Sequence, residues 1–269
     1  MHVRDLTDAH DYRACEELQR LTWGRAFREL VPPAILKISQ KVGGIAAGAF
    51  SPEGEMVGFV YGITGWKEGK PCHWSHMLAV RPQFRDRGIG RQLKAFQKAR
   101  LVDEGVQTMY WTFDPLVARN AHFNLGRLGV SVREYVADMY GPDDDNSLDH
   151  VIGTDRFIVE WDLMASEPAD RQPNLSAVAL TNATVSAGDL DPTNLTCRDD
   201  PSVGIAIPRD IHGLKATHSS LAARWRANTR QAFQHYLGEG YVVTGFRTAP
   251  PKQFGVYVLS KREVPSVIP

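Results

Sequence analysis

The sequence predicts a mixed α/β fold whose first strands are antiparallel, followed by a smaller C-terminal α/β region. Three observations predict this fold class. Residues 44–66 read as two apolar strands around a Pro-Glu-Gly-Glu turn, which is a hairpin signal. Residues 78–93, LAVRPQFRDRGIGRQL, run from an apolar strand through two glycines into a helix. Residues 164–177 contain two prolines and few apolar side chains, which favours a linker.

The N-terminal elements follow from local signals. Residues 3–7 predict a short strand, and Asp8 or Thr7 is suited to cap a helix that runs to about Trp23. Residues 31–43 predict a second helix, with proline tolerated in its first turn. After the hairpin, CHWSHMLAV at 72–80 is a third strand. In the helix after the glycines, apolar side chains recur at helical spacing, and Gly105 ends it: Ile89, Leu93, Phe96 and Ala99.

The remaining elements complete a first domain at 1–163. VQTMYWTFD is a strand, and PLVARNAHFNLGRLG is a short helix closed by Gly129. Two further strands flank an acidic polar loop at 141–155, so the predicted order is βαα-βββ-αβ-αββ. Beyond the linker, residues 178–269 predict strands, a terminal hairpin and a long helix. One face of that helix carries Leu221, Trp225, Ala232 and Tyr236.

Composition excludes several classes of protein. The 269 residues contain 31 Lys and Arg and 31 Asp and Glu, so no global positive charge attracts nucleic acid or an anionic membrane. No apolar run reaches the roughly 20 residues of a membrane helix, and the N-terminus has no signal-peptide core. Cys15, Cys72 and Cys197 are too far apart for a zinc motif, which fits a reducing cytoplasm and no metal.

The glycine loop at Arg85-x-x-Gly88-x-Gly90 is suited to bind a diphosphate. Backbone N–H groups in such a loop converge, and the helix that follows adds a partial positive charge at its N-terminus. A plain glycine turn is the alternative, because short glycine motifs occur by chance. The sequence has no Gly-Lys-Ser/Thr after the loop, and a hairpin rather than a parallel unit precedes it. Nucleoside triphosphate and dinucleotide sites are therefore disfavoured.

The register of these residues resembles the GNAT superfamily of acyl-CoA-dependent N-acyltransferases. In that family an apolar strand is followed by Pro, by Gln/Arg-x-x-Gly-x-Gly/Ala and by a helix. The matching positions here are Leu78, Ala79, Val80, Pro82, Arg85, Gly88 and Gly90. A later phrase, WTFDPLVARNAHFNLGRLGV, resembles the next signature through Asn120, Leu128 and Gly129. The resemblance covers residues 2–163 and implies a GNAT-type, mostly antiparallel central sheet flanked by helices.

The resemblance also implies a cosubstrate, acetyl-CoA or another acyl-CoA. By the family's pattern the third strand splays from its neighbour at its end, and the backbone of Leu78, Ala79 and Val80 binds pantetheine. The N–H near Leu78 would polarise the thioester carbonyl. The pyrophosphate would lie against the loop backbone, at Arg85, Asp86, Arg87, Gly88, Ile89, Gly90 and Arg91. Asn120 would bind the pantetheine arm or order the loop, and a capping Asn is the alternative.

The resemblance does not by itself identify the catalytic base. The family often uses a Glu on the central strand, but CHWSHMLAV has no carboxylate. Strict alternation places Trp74, His76, Leu78 and Val80 on one face of the strand and Ser75, Met77 and Ala79 on the other. His76 is then on the face of the family's base, and imidazole suits that role. A core histidine is the alternative.

The resemblance also does not identify the group that protonates the leaving thiolate. The family's usual tyrosine is replaced by the phrase Phe123-Asn124-Leu125, which has no hydroxyl. Tyr135, Tyr140 or solvent is then expected to protonate the leaving thiolate. Asp114, at the end of its strand, is a candidate for amine recognition, although the sequence favours the alternative, an N-cap for the next helix.

The C-terminal region suggests a wall for the acceptor cleft. VGIAIPRDIHGLKA repeats the order strand, Ile-Pro, loop and helix without Gly-x-Gly, which suggests a degenerate half-copy of the first domain. Arg224, Arg226 and Arg230 follow in the long helix. They either bind a carboxylate of the acceptor or acyl group, or form a solvated basic face.

We therefore expect an N-acyltransferase that moves an acetyl or succinyl group from acyl-CoA directly to a small amine such as an amino acid. A non-catalytic acyl-CoA-binding or interaction protein is one alternative, since the expected Glu and Tyr are missing. A protein N-acetyltransferase is the other. No nucleic acid or membrane partner is expected, and a homodimer is left open.

Overall fold

A computed structural model describes residues 1–25, 27–141, 152–166, 175, 178–186, 189–249 and 254–261. The helices are α1 (Ala9–Trp23), α2 (Pro33–Lys41), α3 (Ile89–Asp103), α4 (Ala118–Ala121), α5 (Ile211–Thr217) and α6 (Ser219–Gly238). The strands are β1 (His2–Asp5), β2 (Ile45–Phe50), β3 (Met56–Lys67), β4 (Lys70–Val80), β5 (Thr108–Phe113), β6 (Ser131–Val136), β7 (Arg156–Asp162), β8 (Ala179–Leu180), β9 (Ala183–Ser186), β10 (Asp189–Pro192), β11 (Ser202–Pro208), β12 (Tyr241–Ala249) and β13 (Phe254–Lys261). Across these ranges, no helix is both long and apolar enough to cross a membrane.

The predicted order of elements is confirmed from β1 to β7. Asp8 caps α1, because its side chain accepts hydrogen bonds from the backbone N–H groups of His10 and Asp11. The predicted helix at 115–129 is shorter, since α4 begins at Ala118 and a π-helical segment, His122–Leu128, continues it. The helix predicted at the end of VGIAIPRDIHGLKA is present as α5, Ile211–Thr217. The acidic loop at 141–155 and the linker at 164–177 lie largely outside the described residues.

The chain forms two compact units. Unit 1 comprises Met1–Trp111 and Asp162–Ala165, and unit 2 comprises Thr112–Trp161 and Ser166–Pro269. The division falls inside β5 and does not follow the predicted boundary after residue 163. The assignment of 1–163 and 178–269 as separate domains stays a prediction.

Unit 1 is a sheet in the order β1-β2-β3-β4-β5. The first four strands pair antiparallel, and β5 pairs parallel to β4. Helices α1 and α2 cover one face, where Cys15, Leu18 and Leu36 pack with Phe59 of β3 in a buried apolar cluster. The burial of these side chains is the main stabilising contribution on that face. Helix α3 packs on the other face, against the hairpin strands β2 and β3.

Unit 2 contains the antiparallel pair β6–β7 and a four-stranded sheet in the order β12-β13-β11-β8. Helix α6 packs on this unit through the face that the sequence predicted, with Trp225, Ala232 and Tyr236 at most 1% exposed. The aromatic rings of Phe157, Phe233 and Tyr257 meet edge to face, with centroids 4.8–5.6 Å apart. Unit 2 therefore has its own core.

Candidate functional site

Strand β4 carries a one-residue bulge at His76. The register pairs Tyr61 of β3 with Met77 and the next residue, Gly62, with Ser75, so His76 has no partner on β3. A bulge of this kind bends a strand and redirects its side chains. The predicted third strand is thus present, but it is not regular at its centre.

The bulge makes the predicted alternation of β4 wrong across His76. Strict alternation placed Ser75 and Met77 on the same face. In the structure Met77 packs in the cluster with α1 and α2, whereas Ser75 bonds to Lys94 and Gln97 of α3 on the opposite face. The physical reason is that one extra residue shifts a period-two pattern by one position.

His76 itself is exposed on β4. Its ring meets the Tyr61 ring edge on, with centroids 6.1 Å apart. Partial desolvation lowers the pKa of His76 below its usual value, against a smaller opposing effect of Glu29. The imidazole is therefore neutral at pH 7 and open to solvent, so it is able to accept a proton.

Strand β4 separates from β5 well before it ends. The registered pairs between the two strands are His73 with Met109 and Trp74 with Tyr110. The segment 75–80 continues as part of β4 without a registered partner on β5. The splayed strand end that the resemblance implied is therefore a feature of this chain.

The backbone of β4 presents polar groups on this open side. The N–H of Arg81 donates to the Val57 carbonyl at 2.9 Å. Because bonded and non-bonded positions alternate in an antiparallel ladder, the N–H and C=O groups of Leu78 and Val80 point away from β3. The Arg85 Nε donates to the Val80 carbonyl at 3.2 Å, which ties the following loop to the strand end.

The glycine loop has an open concave backbone. A 3₁₀ turn, Pro82–Phe84, leads to Asp86 with φ 60° and to Gly88 with φ 75°, which precedes α3. No side chain caps α3, so its first N–H groups face outwards. Apart from Gly88, its two chain neighbours and the backbone of its own helix, no heavy atom of the described residues lies within 4 Å of where a Gly88 Cβ would stand. An anion such as a diphosphate is able to approach these N–H groups closely.

Asp114 forms an ion pair within unit 2. Its Oδ2 accepts from Arg226 Nη2 at 2.6 Å, and Arg226 is 3% exposed. Its Oδ1 accepts from the N–H of Leu116, which makes a turn before α4 rather than a helix cap. A second guanidinium nitrogen, Arg156 Nη1, lies 4.0 Å from Asp114 Oδ2. The expected role of Asp114 in amine recognition stays a prediction.

The other two candidates in unit 2 are accessible. Tyr140 is 41% exposed, its hydroxyl lies 3.0 Å from Thr112 Oγ1, and Arg156 covers its ring. The Asn120 side chain is half-buried in α4 and makes no hydrogen bond to the part of the chain that the structure describes. The alternative donor Tyr135 instead donates to Asp155, and burial raises its pKa. The roles of Tyr140 and Asn120 stay predictions.

The three arginines of α6 are engaged within unit 2. Arg226 also donates through Nε to the Ile152 carbonyl at 2.8 Å, so it does not belong to a solvated basic face. Arg230 binds Asp155 at 2.5 Å and Asp138 at 2.8 Å. Arg224 donates to a backbone carbonyl. Carboxylates of the chain itself therefore already occupy two of the three guanidinium groups.

One group of side chains has the spacing of metal ligands. Ligand atoms of Asp8, His10 and Asp11 lie within 4.8 Å of one another. Asp8 caps α1, and Asp11 binds Arg4 and Thr7. Both carboxylates thus have structural partners.

Comparison with known proteins gives one family match. Residues 12–126 match the acetyltransferase (GNAT) family. No curated protein matches the chain. Three similar solved structures are an aminoglycoside 6'-N-acetyltransferase complexed with coenzyme A, a phosphinothricin acetyltransferase from Sinorhizobium meliloti in complex with acetyl-CoA, and the ribosomal-protein-S18-alanine N-acetyltransferase from Escherichia coli.

The three structures are distant. Their sequence identities to this chain are 15%, 18% and 20%, and their TM-scores are 0.47, 0.48 and 0.45, in the same order. They cover 62%, 63% and 62% of this chain, and the matches include 100%, 93% and 97% of their own lengths.

Proposed function

We propose that the protein transfers an acyl group from acyl-CoA to an amine, because residues 12–126 match the acetyltransferase (GNAT) family. One observation carries the proposal. The open side of β4, with the backbone groups of Leu78 and Val80, leads within one short loop to the uncapped N-terminus of α3. This path offers backbone hydrogen bonds to an extended pantetheine arm and then converging N–H groups to a diphosphate.

The CoA contacts follow that path. The backbone of Leu78, Ala79 and Val80 binds pantetheine in the place of a neighbouring strand. The residues that cradle the pyrophosphate are those of the loop and the first turn of α3: Arg85, Asp86, Arg87, Gly88, Ile89, Gly90 and Arg91. The helix N-terminus adds roughly half a positive charge to this cradle.

His76 accepts the proton in the transfer step. The neutral amine nitrogen attacks the thioester carbonyl carbon, and the N–H of Leu78 stabilises the charge on the carbonyl oxygen. The amine proton passes to the His76 imidazole, which is neutral at pH 7 since desolvation lowers its pKa. The C–S bond then breaks, and the CoA thiolate leaves with a proton from solvent or a tyrosine. A thiol pKa near 8.5 makes this a good leaving group.

The acceptor in this proposal is a small amine such as an amino acid, and the acyl group is acetyl or succinyl. A protein N-terminus or lysine is the competing acceptor. A non-catalytic acyl-CoA-binding protein is the competing function, because β4 has no carboxylate and Phe123 replaces the usual tyrosine. Release of free thiol from acyl-CoA in the presence of an amine separates catalysis from binding alone.

The proposal is tested by calorimetric titration of the wild type, Gly88→Ala and Gly69→Ala with acetyl-CoA and with succinyl-CoA. Gly69, in the turn between β3 and β4, is a matched control: its φ is 76°, and its Cβ position is also open. Both substitutions cost about 1–2 kcal/mol of backbone strain, because an L-residue is disfavoured at positive φ. Only the methyl group at position 88 obstructs the cradle.

We expect Gly88→Ala to weaken binding at least about tenfold and Gly69→Ala to leave it unchanged, since about 1.4 kcal/mol of lost contact is a factor of ten. The tighter thioester identifies the acyl group for a screen of amines. Wild-type protein that binds neither thioester would overturn the proposal. Equal affinities for the two alanine variants would show that CoA does not lie in the loop.

A further inference from the structure

A lysine is buried beneath β4 without a carboxylate partner. Lys94 of α3 is 3% exposed. Its Nζ donates to Ser75 Oγ at 2.8 Å, lies 3.6 Å from Met109 Sδ and lies 3.8 Å from the centre of the Trp111 ring. Among the residues that the structure describes, no Asp or Glu forms an ion pair with it. A buried amine in such surroundings is costly when it is charged.

The lysine is the first member of a directed chain of hydrogen bonds. Ser75 Oγ donates to Gln97 Oε1 at 3.0 Å, and Gln97 Nε2 lies 3.3 Å from His73 Nε2. Since an amide nitrogen only donates, His73 accepts at Nε2 and carries its proton on Nδ1. That proton points to Thr64 Oγ1 at 3.0 Å, and Thr64 donates to the Gly43 carbonyl.

Burial disfavours the charged form of both ionisable members of this chain. Desolvation lowers the pKa of Lys94 well below its ordinary value. Desolvation, with a smaller effect of Lys94, lowers the pKa of His73 to about 3. Ser75, Gln97 and His73 are at most 4% exposed, and each has a partner. Every member of the network thus has a hydrogen-bond partner, which is the condition under which a polar cluster is tolerated in a core.

The amine lies where β4 and β5 stop pairing. The last registered pair is Trp74 with Tyr110. Lys94 contacts the next residue on each strand, Ser75 on β4 and Trp111 on β5. It therefore links the two positions that would form the next pair if the strands stayed together. Ser75 also immediately precedes the bulge at His76.

We infer that Lys94 is a positioning residue whose amine fixes the vertex at which β4 and β5 separate and thereby holds open the strand edge that receives the acyl-CoA. Breaks in local sequence rules tend to occur at functional sites, and a lysine on the buried face of α3 is such a break. The part that concerns the ligand rests on the proposed function. The part that concerns the vertex does not.

The test compares Lys94→Met with Lys98→Met by amide hydrogen exchange without ligand and by CoA titration. Lys98 is one turn further along α3, is half-buried and reaches a carbonyl at the surface, so the same substitution there is the control. Lys94→Met keeps nearly the volume of the unbranched side chain but cannot donate to Ser75. Lys94→Gln restores a donor, and Ser75→Ala removes the partner instead.

We expect amides at 73–77 and 109–111 to exchange about tenfold faster in Lys94→Met and Ser75→Ala, the effect of one lost buried hydrogen bond. The CoA dissociation constant rises about as much. Lys94→Gln and Lys98→Met stay near wild type in both measurements, and exchange elsewhere in unit 1 does not change. Faster exchange at the vertex in Lys94→Met and Ser75→Ala, together with a wild type that fails to bind CoA, would refute the proposed function alone. Wild-type exchange at the vertex in folded Lys94→Met and Ser75→Ala would overturn this inference.

Discussion

The burial of Lys94 predicts an unusual dependence of stability on pH. In the unfolded chain a lysine has a pKa of about 10.4, whereas burial lowers the pKa of Lys94 well below that value in the folded protein. At pH values between the two, the unfolded chain binds one proton more than the folded chain. Stability rises with pH wherever the unfolded state binds more protons. The free energy of unfolding should therefore increase as the pH is raised above neutrality.

The magnitude follows from one proton. A difference of one bound proton changes the free energy of unfolding by about 1.4 kcal/mol per pH unit. We expect Lys94 to make the largest contribution in the window from pH 7.5 to 8.5. Below it, His73 contributes with the same sign, because its pKa is about 3 in the fold and near 6.5 when unfolded. Above it, Cys15 opposes the trend, because burial raises the pKa of its thiol to about 12, so the folded chain keeps a proton that the unfolded chain loses above about pH 8.5.

Urea unfolding followed by circular dichroism at pH 7.5, 8.0 and 8.5 measures this effect. We expect the wild type and Lys98→Met to gain about 1.4 kcal/mol across the window. Lys94→Met should be flat, because methionine does not titrate. A wild type whose stability does not change would show that Lys94 keeps its proton in the fold. Parallel slopes for wild type and Lys94→Met would assign the titration to another group.

Two further predictions concern the candidate site and unit 2. His76→Gln should lower kcat about a hundredfold and remove the acid limb of the kcat/KM profile below pH 6.5; an unchanged profile would show that His76 is not the base. Arg226→Met should lower the free energy of unfolding by about 3 kcal/mol, since it leaves the Asp114 carboxylate without its 2.6 Å partner. Asp114→Asn combined with Arg226→Met should recover part of this loss in urea, and a loss below about 1 kcal/mol for the single variant would contradict the prediction.

Local sequence signals were sufficient for the order of elements in the first 163 residues. The cap at Asp8, the hairpin around Gly54 and the glycine loop before α3 each depend on neighbouring residues, and the structure has all three. The separation of β4 from β5 after Trp74 was not predicted from local signals. It came from a family resemblance, because no local pattern in β4 indicates where β5 stops pairing.

The alternation of side chains along β4 could not predict the bulge at His76. Alternation assumes a period of two along the whole strand, and one inserted residue reverses the face of every residue on one side of it. The segment Ser75 to Met77 contains no glycine or proline that would mark the irregularity. Only the register with β3 shows it, and that register is a property of two distant segments.

The buried face of α3 shows why the polar part of unit 1 was also missed. The helical spacing of α3 selected Ile89, Leu93, Phe96 and Ala99 as its apolar positions, but Ala99 is exposed and the structure buries Lys94 and Gln97. Hydrophobic periodicity counts a polar residue as surface unless its partners are known, and here the partners lie on β4. Two strands that separate leave space and polar groups between them, which an apolar side chain would not satisfy. The break in the pattern and the opening at the proposed CoA site thus have one physical origin.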